Sequence, residues 1–335
     1  MKSKKTSSNI GLDIGTSTVK LVELKVLKDK DIVELVRFDL EPIQADLAPL
    51  LKKISPSQSI NISVSGISTV IRYIDFPRMN EDELKQALKF EAQKYIPFPI
   101  NEVNLDSHIL KEGLTDSKML VLVAAVKKDF INQRLKLIHE AGIKTEIIDL
   151  DSLALVNAFN FSYTEEERKD LKNKAVALLN IGASMSNLNI LENGLPVLSR
   201  DIYIAGNNIT QKIQDIFSID AKSAEELKLN IDKERMDKVV TAAESVLSDL
   251  AKELRVSFDY YESQNSSSVV KILLSGGGSK FPGFKDMLAN LLSIEVEYWD
   301  PLKQISIPGS FDSKQLKELS SQFAVAVGLA LRKYN

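Results

Sequence analysis

Gly11-Leu12-Asp13-Ile14-Gly15-Thr16-Ser17-Thr18-Val19-Lys20 is the stretch from which the fold is read. It reads as a strand, a tight glycine turn and a returning strand that runs on through Leu21, Val22, Glu23 and Leu24. Gly15 lets a phosphate approach the backbone closely, and the turn is crowded with hydroxyls and backbone N–H groups. Asp13 does not hold a phosphate directly, but through water a carboxylate holds a magnesium ion that bridges to one. A glycine and hydroxyl hairpin is also an ordinary turn, so one copy decides little. The chain carries a second copy. Leu179-Asn180-Ile181-Gly182-Ala183-Ser184 repeats Leu12-Asp13-Ile14-Gly15-Thr16-Ser17 position for position, and Leu188 and Leu191 follow where Leu21 and Leu24 do. Two such hairpins half a chain apart predict two related lobes, each offering a phosphate-facing turn to a shared cleft.

A third element lies at Lys271-Ile272-Leu273-Leu274-Ser275-Gly276-Gly277-Gly278-Ser279-Lys280. A buried strand runs into three glycines, and a helix starts near Pro282-Gly283-Phe284. Such a junction lays backbone against a planar ligand and aims a helix N-terminus at anions. The alternative is a flexible turn.

In this order the three elements resemble the actin-like ATPase superfamily: phosphate loop one, phosphate loop two, adenosine loop. Within it the chain resembles the PilM family of type IV pilus assembly, relatives of the cell-division protein FtsA. The likeness spans almost the whole chain. It rests most on Phe90-Glu91-Ala92-Gln93-Lys94-Tyr95-Ile96-Pro97-Phe98-Pro99, on Glu102-Val103-Asn104-Leu105-Asp106, on Arg255-Val256-Ser257-Phe258-Asp259-Tyr260-Tyr261 and on Ala324 to Arg332.

The resemblance implies an α/β actin-like fold of two duplicated lobes around a nucleotide cleft. Lobe one, subdomain 1A, would take residues 1–69 and 143–174, with 320–335 returning to it as a C-terminal helix. Residues 70–142 would be an inserted FtsA-type subdomain 1C. Lobe two would divide into 2A, residues 175–205 and 269–319, and 2B, residues 206–268. The implied ligands are ATP and Mg2+. They would be held by Asp13, Gly15, Thr16, Ser17, Thr18 and Lys20 of the first loop, with Asp13 serving the metal. Asn180, Gly182, Ala183 and Ser184 of the second loop would join them, with Gly276, Gly277, Gly278 and Lys280 of the adenosine loop. Lys20 reads equally as a phosphate contact or an exposed lysine. Ala224-Glu225-Glu226-Leu227-Lys228 resembles the family's adenosine-side helix, where Glu225 and Lys228 reach ribose or base; at helical spacing they also read as plain surface charge. The second loop of the superfamily usually carries Asp where this chain has Asn180. A neutral amide is a weaker magnesium ligand and accepts no proton, so the expectation is ATP binding with slow hydrolysis or none, and no catalytic residue is assigned.

Several elements are legible without the resemblance. Ile32 to Phe38 and Ile60 to Val64 alternate as strands, with a short crossover helix over Asp46 to Ile54. Asn80 with Glu83 three residues on predicts a capping box, followed by a helix that must stop before Pro97. Ile96-Pro97-Phe98-Pro99 is then extended. It is either a rigid connector that packs Phe98 into the core or an apolar lip beside a groove. By resemblance, Tyr95 to Pro99 would help bind the short cytoplasmic N-terminal peptide of a PilN-like inner-membrane protein. Residues 163–174, rich in charge, read as a solvated linker, and 305–314 as an irregular loop ahead of a last helix over 320–333.

Composition excludes other classes. The 335 residues are 44% hydrophobic and 27% charged, ordinary for a globular protein of two lobes. A formal net charge of -3 argues against nucleic-acid binding driven by overall charge. The absence of cysteine excludes disulfides and thiolate chemistry. His108 and His139 are too few and too far apart in sequence for a triad or metal set. No apolar run approaches the ~20 residues of a membrane helix. The N-terminus lacks a secretory h-region, and the C-terminus is not the detachable anchor of FtsA-type proteins. A cytoplasmic location peripheral to the inner membrane, through a partner, is therefore expected. The resemblance leaves room for the pilus motor ATPase as a further partner and for a homodimer. Two other readings remain: an FtsA-like filament-forming ATPase, and a sugar-kinase-type phosphotransferase, for which no candidate base is visible.

Overall fold

The two glycine hairpins seed two sheets of the same connectivity. A computed structural model describes residues 8–27, 32–43, 48–55, 58–115, 117–172, 174–265 and 267–332. In lobe one, β1 (Ser8–Ile14), β2 (Thr18–Leu27) and β3 (Ile32–Pro42) form an antiparallel meander. A single helical turn, α1 (Ala48–Leu51), leads to β4 (Ser59–Val64), which pairs parallel with β1. Asp46, the expected start of this crossover, lies outside the described residues. Strands β1 and β4 are buried along almost their whole length, the pattern of strands covered on both faces.

The chain then leaves the lobe. It builds β5 (Thr69–Pro77), α2 (Glu81–Glu91), β6 (Val103–Thr115), β7 (Lys118–Lys127) and α3 (Lys128–Glu140). These strands form a separate antiparallel sheet in the order β5-β7-β6. Its own core gathers Phe76, Leu84, Leu88, Ile96, Met119 and Val121. The capping box of α2 is present, both of its bonds being 2.9 Å. β8 (Lys144–Leu150) returns to lobe one and completes the order β3-β2-β1-β4-β8.

Helix α4 (Asp151–Ser162) follows, then α5 (Glu165–Asp170) inside the stretch read as a linker. Thr164 caps it: its hydroxyl accepts from the Glu167 N–H at 3.2 Å, and the Glu167 carboxylate accepts from the Thr164 N–H at 3.0 Å. A capping box and acidic residues at the positive end of the helix outweigh the charge of the segment.

Lobe two repeats the scheme with β9 (Ala175–Ile181), β10 (Ser186–Glu192) and β11 (Leu195–Ile202). Three helices follow: α6 (Gly206–Phe217), α7 (Ala221–Leu229) and the long α8 (Met236–Gln264). β12 (Val269–Ser275), α9 (Phe284–Leu292) and β13 (Glu295–Tyr298) complete the order β11-β10-β9-β12-β13, with β9, β12 and β13 parallel. The expected loop over 305–314 ends early. Asp312 accepts from the N–H groups of Lys314 and Gln315, capping α10 (Ser313–Leu319). A 3-10 turn at Ser320–Phe323 then opens the last helix, α11 (Ala324–Leu331).

Helices α4 and α11 lie between the two sheets. One cluster joins Val22, Leu24 and Leu35 of lobe one to Val176, Leu178 and Leu273 of lobe two through these helices. Trp299, the one tryptophan of the chain, is buried in it with its ring edge against Phe159, centroids 6.4 Å apart. The contact is close because it is made by backbone. A side chain at Gly328 would overlap the Ala154 carbonyl, and one at Gly11 would overlap the Ala326 carbonyl. Asn61 Nδ2 donates to the Leu329 carbonyl at 2.9 Å. Gly328→Ala is therefore expected to lower stability by about 3 kcal/mol in urea unfolding. Gly309→Ala, at a site with open space around it, should stay within about 0.5 kcal/mol.

Candidate functional site

Strand register places the chemistry of each hairpin. Asp13 stands opposite Lys20 across the first, and Asn180 opposite Asn187 across the second. Each turn closes on its glycine: Gly15 N–H donates to the Thr18 carbonyl at 3.1 Å, and Gly182 N–H to the Met185 carbonyl at 2.9 Å. A side chain on either glycine would press on that carbonyl, at 2.9 Å and 2.6 Å. The two turns meet. Thr16 Oγ1 and Ser184 Oγ share a hydrogen bond of 2.9 Å between the lobes.

The triple glycine joins them. Gly276 has φ of +90°, and a side chain there would overlap the Ile181 carbonyl; one on Gly278 would overlap the Gly182 carbonyl. Gly206 N–H donates to the Gly182 carbonyl at 3.1 Å, and Asn207 N–H to the Ala183 carbonyl at 2.7 Å. The second turn, the glycine loop and the first turn of α6 are therefore in backbone contact. Lys228 is brought to this cluster: its buried ammonium donates to the Gly206 carbonyl at 3.3 Å and to Thr210 Oγ1 at 2.9 Å. Glu225 pairs with it at 2.6 Å. These two residues tie α7 to α6 rather than standing as loose surface charge.

Other expected residues are placed elsewhere. Lys280 is held over the Tyr298 ring, 5.1 Å from its centroid, and burial lowers its pKa. In the stretch Tyr95 to Pro99, Ile96 is buried in the core of the inserted sheet, Tyr95 and Phe98 pack against that core, and Pro97 and Pro99 are exposed. Lys127 lies 4.8 Å from the Phe98 ring centroid, and Arg72 Nε donates to the Tyr95 carbonyl at 3.2 Å.

The electrostatics of the cleft differ between the hairpins. Lys20 Nζ donates to Asp13 Oδ2 at 2.9 Å, with both side chains largely buried. Across the second hairpin the pair is neutral: Asn180 Nδ2 donates to Asn187 Oδ1 at 3.2 Å. Asp151, the first residue of α4, was not singled out from sequence. Its carboxyl pKa is pushed up to about 6, first by burial and next by the Asp13 charge, against bonds from Ser63 and Ser65. Ser65 Oγ donates to it at 2.6 Å. Asp201, also missed, accepts from Gly66 N–H at 2.8 Å and from Asn187 Nδ2 at 2.7 Å. Aligning the repeat one step further would have marked Asn187 as the counterpart of Lys20; nothing local marks Asp151 or Asp201. Among the described residues no three His, Cys, Asp or Glu side chains stand together to hold a metal by themselves.

This cleft, with duplicated hairpins and a glycine loop, is borne by a chain whose residues 11–334 match the family model of the type IV pilus assembly protein PilM. The chain belongs to the PilM family. The PilM-PilN type IV pilus biogenesis complex is similar at 28% identity and a TM-score of 0.85, over 98% of each chain. The ethanolamine utilization protein EutJ from Carboxydothermus hydrogenoformans aligns at 12% identity and a TM-score of 0.53, over 97% of this chain and 89% of that one. MreB 5 of Spiroplasma citri, solved bound to AMPPNP, aligns at 14% and 0.50, over 98% and 97%. The fold is thus the actin-like ATPase fold that the resemblance implied. No described helix of this PilM-family chain is long and apolar enough to cross a membrane.

The Asp151 carboxyl gives a pH signature. Unfolded, it loses its proton near 3.8; folded, it keeps it until about pH 6. The folded state binds the extra proton between these values, so this group's contribution to stability falls as pH rises from about 4 to 6. Asp151→Asn is expected to stabilise the protein at pH 7 by roughly 1–3 kcal/mol, and the gain should vanish below about pH 4 in denaturant titrations.

Proposed function

We propose that this chain is an ATP-binding adaptor of type IV pilus assembly. It grips the short cytoplasmic N-terminal peptide of a PilN-like inner-membrane protein and hydrolyses ATP slowly or not at all. The observation that carries the reading is the meeting of Thr16 and Ser184 beside the triple glycine, in a chain of the PilM family.

The residues present fit the nucleotide. Gly182 and Gly278 admit no side chain, and Gly206 is tightly placed against both, which suits a site where backbone lies against a ligand. The turns at Gly15–Thr18 and Gly182–Ser184 would hold phosphates, Gly276–Gly278 the nucleoside, and Asp13 a magnesium ion through water. Magnesium supplies positive charge to the phosphate oxygens when bound. Lys20 now neutralises Asp13, and its three donors suit a phosphate equally. Slow turnover follows from Asn180. Its oxygen accepts from Ser275 Oγ at 3.2 Å and its NH2 donates to Asn187, and a neutral amide is not a base, so it takes no proton from water as a carboxylate would.

The sheet inserted between β4 and β8 would be the FtsA-type subdomain 1C. Pro97, Pro99 and the uncovered edges of Tyr95 and Phe98 would offer the peptide an apolar lip. The protein would then work in the cytoplasm, held to the inner membrane by its partner.

Calorimetry should show magnesium-dependent ATP binding that weakens on Asp13→Ala; brisk phosphate release that this change abolishes would overturn slow turnover. A PilN-like N-terminal peptide should bind saturably, and Phe98→Ala should weaken it roughly fivefold or more, as loss of an interface anchor does. Equal melting temperatures for both proteins would certify that the loss is local.

A further inference from the structure

The side chains that link the second hairpin to the inserted sheet form one continuous chain of hydrogen bonds. Ser275 Oγ donates to Asn180 Oδ1 at 3.2 Å, and Asn180 Nδ2 to Asn187 Oδ1 at 3.2 Å. Asn187 Nδ2 donates to Asp201 Oδ1 at 2.7 Å, and Gly66 N–H to Asp201 Oδ2 at 2.8 Å. The members come from β12, β9, β10, β11 and the loop that opens into β5. Asn187 is buried, as is Ser275.

The polarity of this chain is forced. A carboxylate only accepts, so Asp201 requires Asn187 to present its NH2 group. The Asn187 oxygen then faces Asn180, which must present its own NH2 group. The Asn180 oxygen is left for the Ser275 hydroxyl. An aspartate at position 180 would have no proton to donate, and the chain would break there. The amide that departs from the superfamily pattern is therefore the residue type this path requires.

The far end is equally specific. Leu12 pairs with Ile62 in lobe one as Leu179 pairs with Leu274 in lobe two. Four residues beyond each partner stand Gly66 and Gly278, so Gly66 is lobe one's counterpart of the glycine loop. It has φ of +92° and leads directly into β5. A second, shorter path runs beside the first. Ser199 Oγ donates to Asn189 Oδ1 at 2.6 Å, which leaves Tyr73 on β5 to donate its hydroxyl to Ser199 at 2.7 Å. The root of the inserted sheet is thus bonded to β11 of lobe two at two places.

We infer that this relay is a transmission: it sets the angle of the inserted sheet by the state of the second phosphate-facing turn, with Asn180 as its positioning residue. The inference rests on the nucleotide reading above and adds to it how ligand in the cleft reaches the partner-docking sheet. Phosphates at Gly182–Ser184 sit two residues beyond Asn180 on the same hairpin. Ordering that turn orders Asn180, and through Asn187 and Asp201 it tightens the hold on Gly66.

Amide hydrogen exchange on the full chain, with and without magnesium ATP, tests this. ATP should slow exchange of Gly66 and of residues 69–77 by about fivefold or more, the lower end of ordinary coupling between sites. Asp201→Asn leaves one acceptor oxygen where two donors need one each, so either Asn187 Nδ2 or the Gly66 N–H faces an NH2 group; it should abolish most of that slowing while ATP affinity stays within about threefold. Tyr73→Phe, which keeps the ring, is the second variant and should remove the part of the slowing at 69–77. Absence of ATP binding by the unaltered chain would remove the nucleotide reading and the relay together. ATP binding without slower exchange at these amides, or slowing that persists in both variants, would overturn the relay alone.

Discussion

The backbone contact between α4 and α11 is the constraint on which the molecule depends. Two helices at this distance must be nearly bare where they cross, and Gly328 against Ala154 meets that condition. The crossing lets one layer of helix serve two sheets at once. Residues from both hairpins then share a single apolar cluster instead of closing two separate cores. The hairpin turns lie at the edge of that layer and so are held opposite each other without any large interface of their own. Their direct bond, Thr16 to Ser184, is a single pair of exposed hydroxyls. Such a bond contributes only about 1 kcal/mol. The packing below positions the turns, and the bond between them is weak enough for a ligand to replace.

Duplication has been followed by division of labour. The same two positions of the hairpin hold an ion pair in one lobe and an amide pair in the other. The ion pair keeps a positive and a negative charge side by side on the first hairpin. The amides carry no charge and instead read direction, since each has one donating and one accepting end. In the proposed reading, lobe one meets the charged ligand and lobe two passes on its arrival. Of the two further carboxylates, Asp201 is engaged by Asn187 and the Gly66 N–H, and burial has moved Asp151 toward its neutral form.

What the sequence revealed was what repeats or has a local pattern. The paired hairpins, the glycine loop, the α2 capping box and the last helix were all visible as short motifs. Two helices were hidden by composition. The Thr164–Glu167 box of α5 was present but lay in a run of charge, and the α10 cap followed a Pro-Gly loop. The cleft carboxylates were invisible for a different reason. Gly66 and Asp201, or Tyr73 and Ser199, meet only after two lobes and an insertion have assembled, and no spacing within the chain encodes such a meeting. In the stretch Ile96 to Pro99, Ile96 is core and Phe98 packs partly against that core, as the connector reading has it, while the two prolines face solvent.

The placement of Trp299 makes the layer between the two lobes optically addressable. The indole sits in the layer common to both lobes, edge-on to Phe159 of α4, and its Nε1 has no hydrogen-bond partner among the described residues. With a single tryptophan in the chain, indole emission arises from this one point. Any rearrangement that shifts one sheet over the other changes the polarity around that ring. The protein therefore carries its own optical label in the layer shared by both lobes, with no dye or added residue.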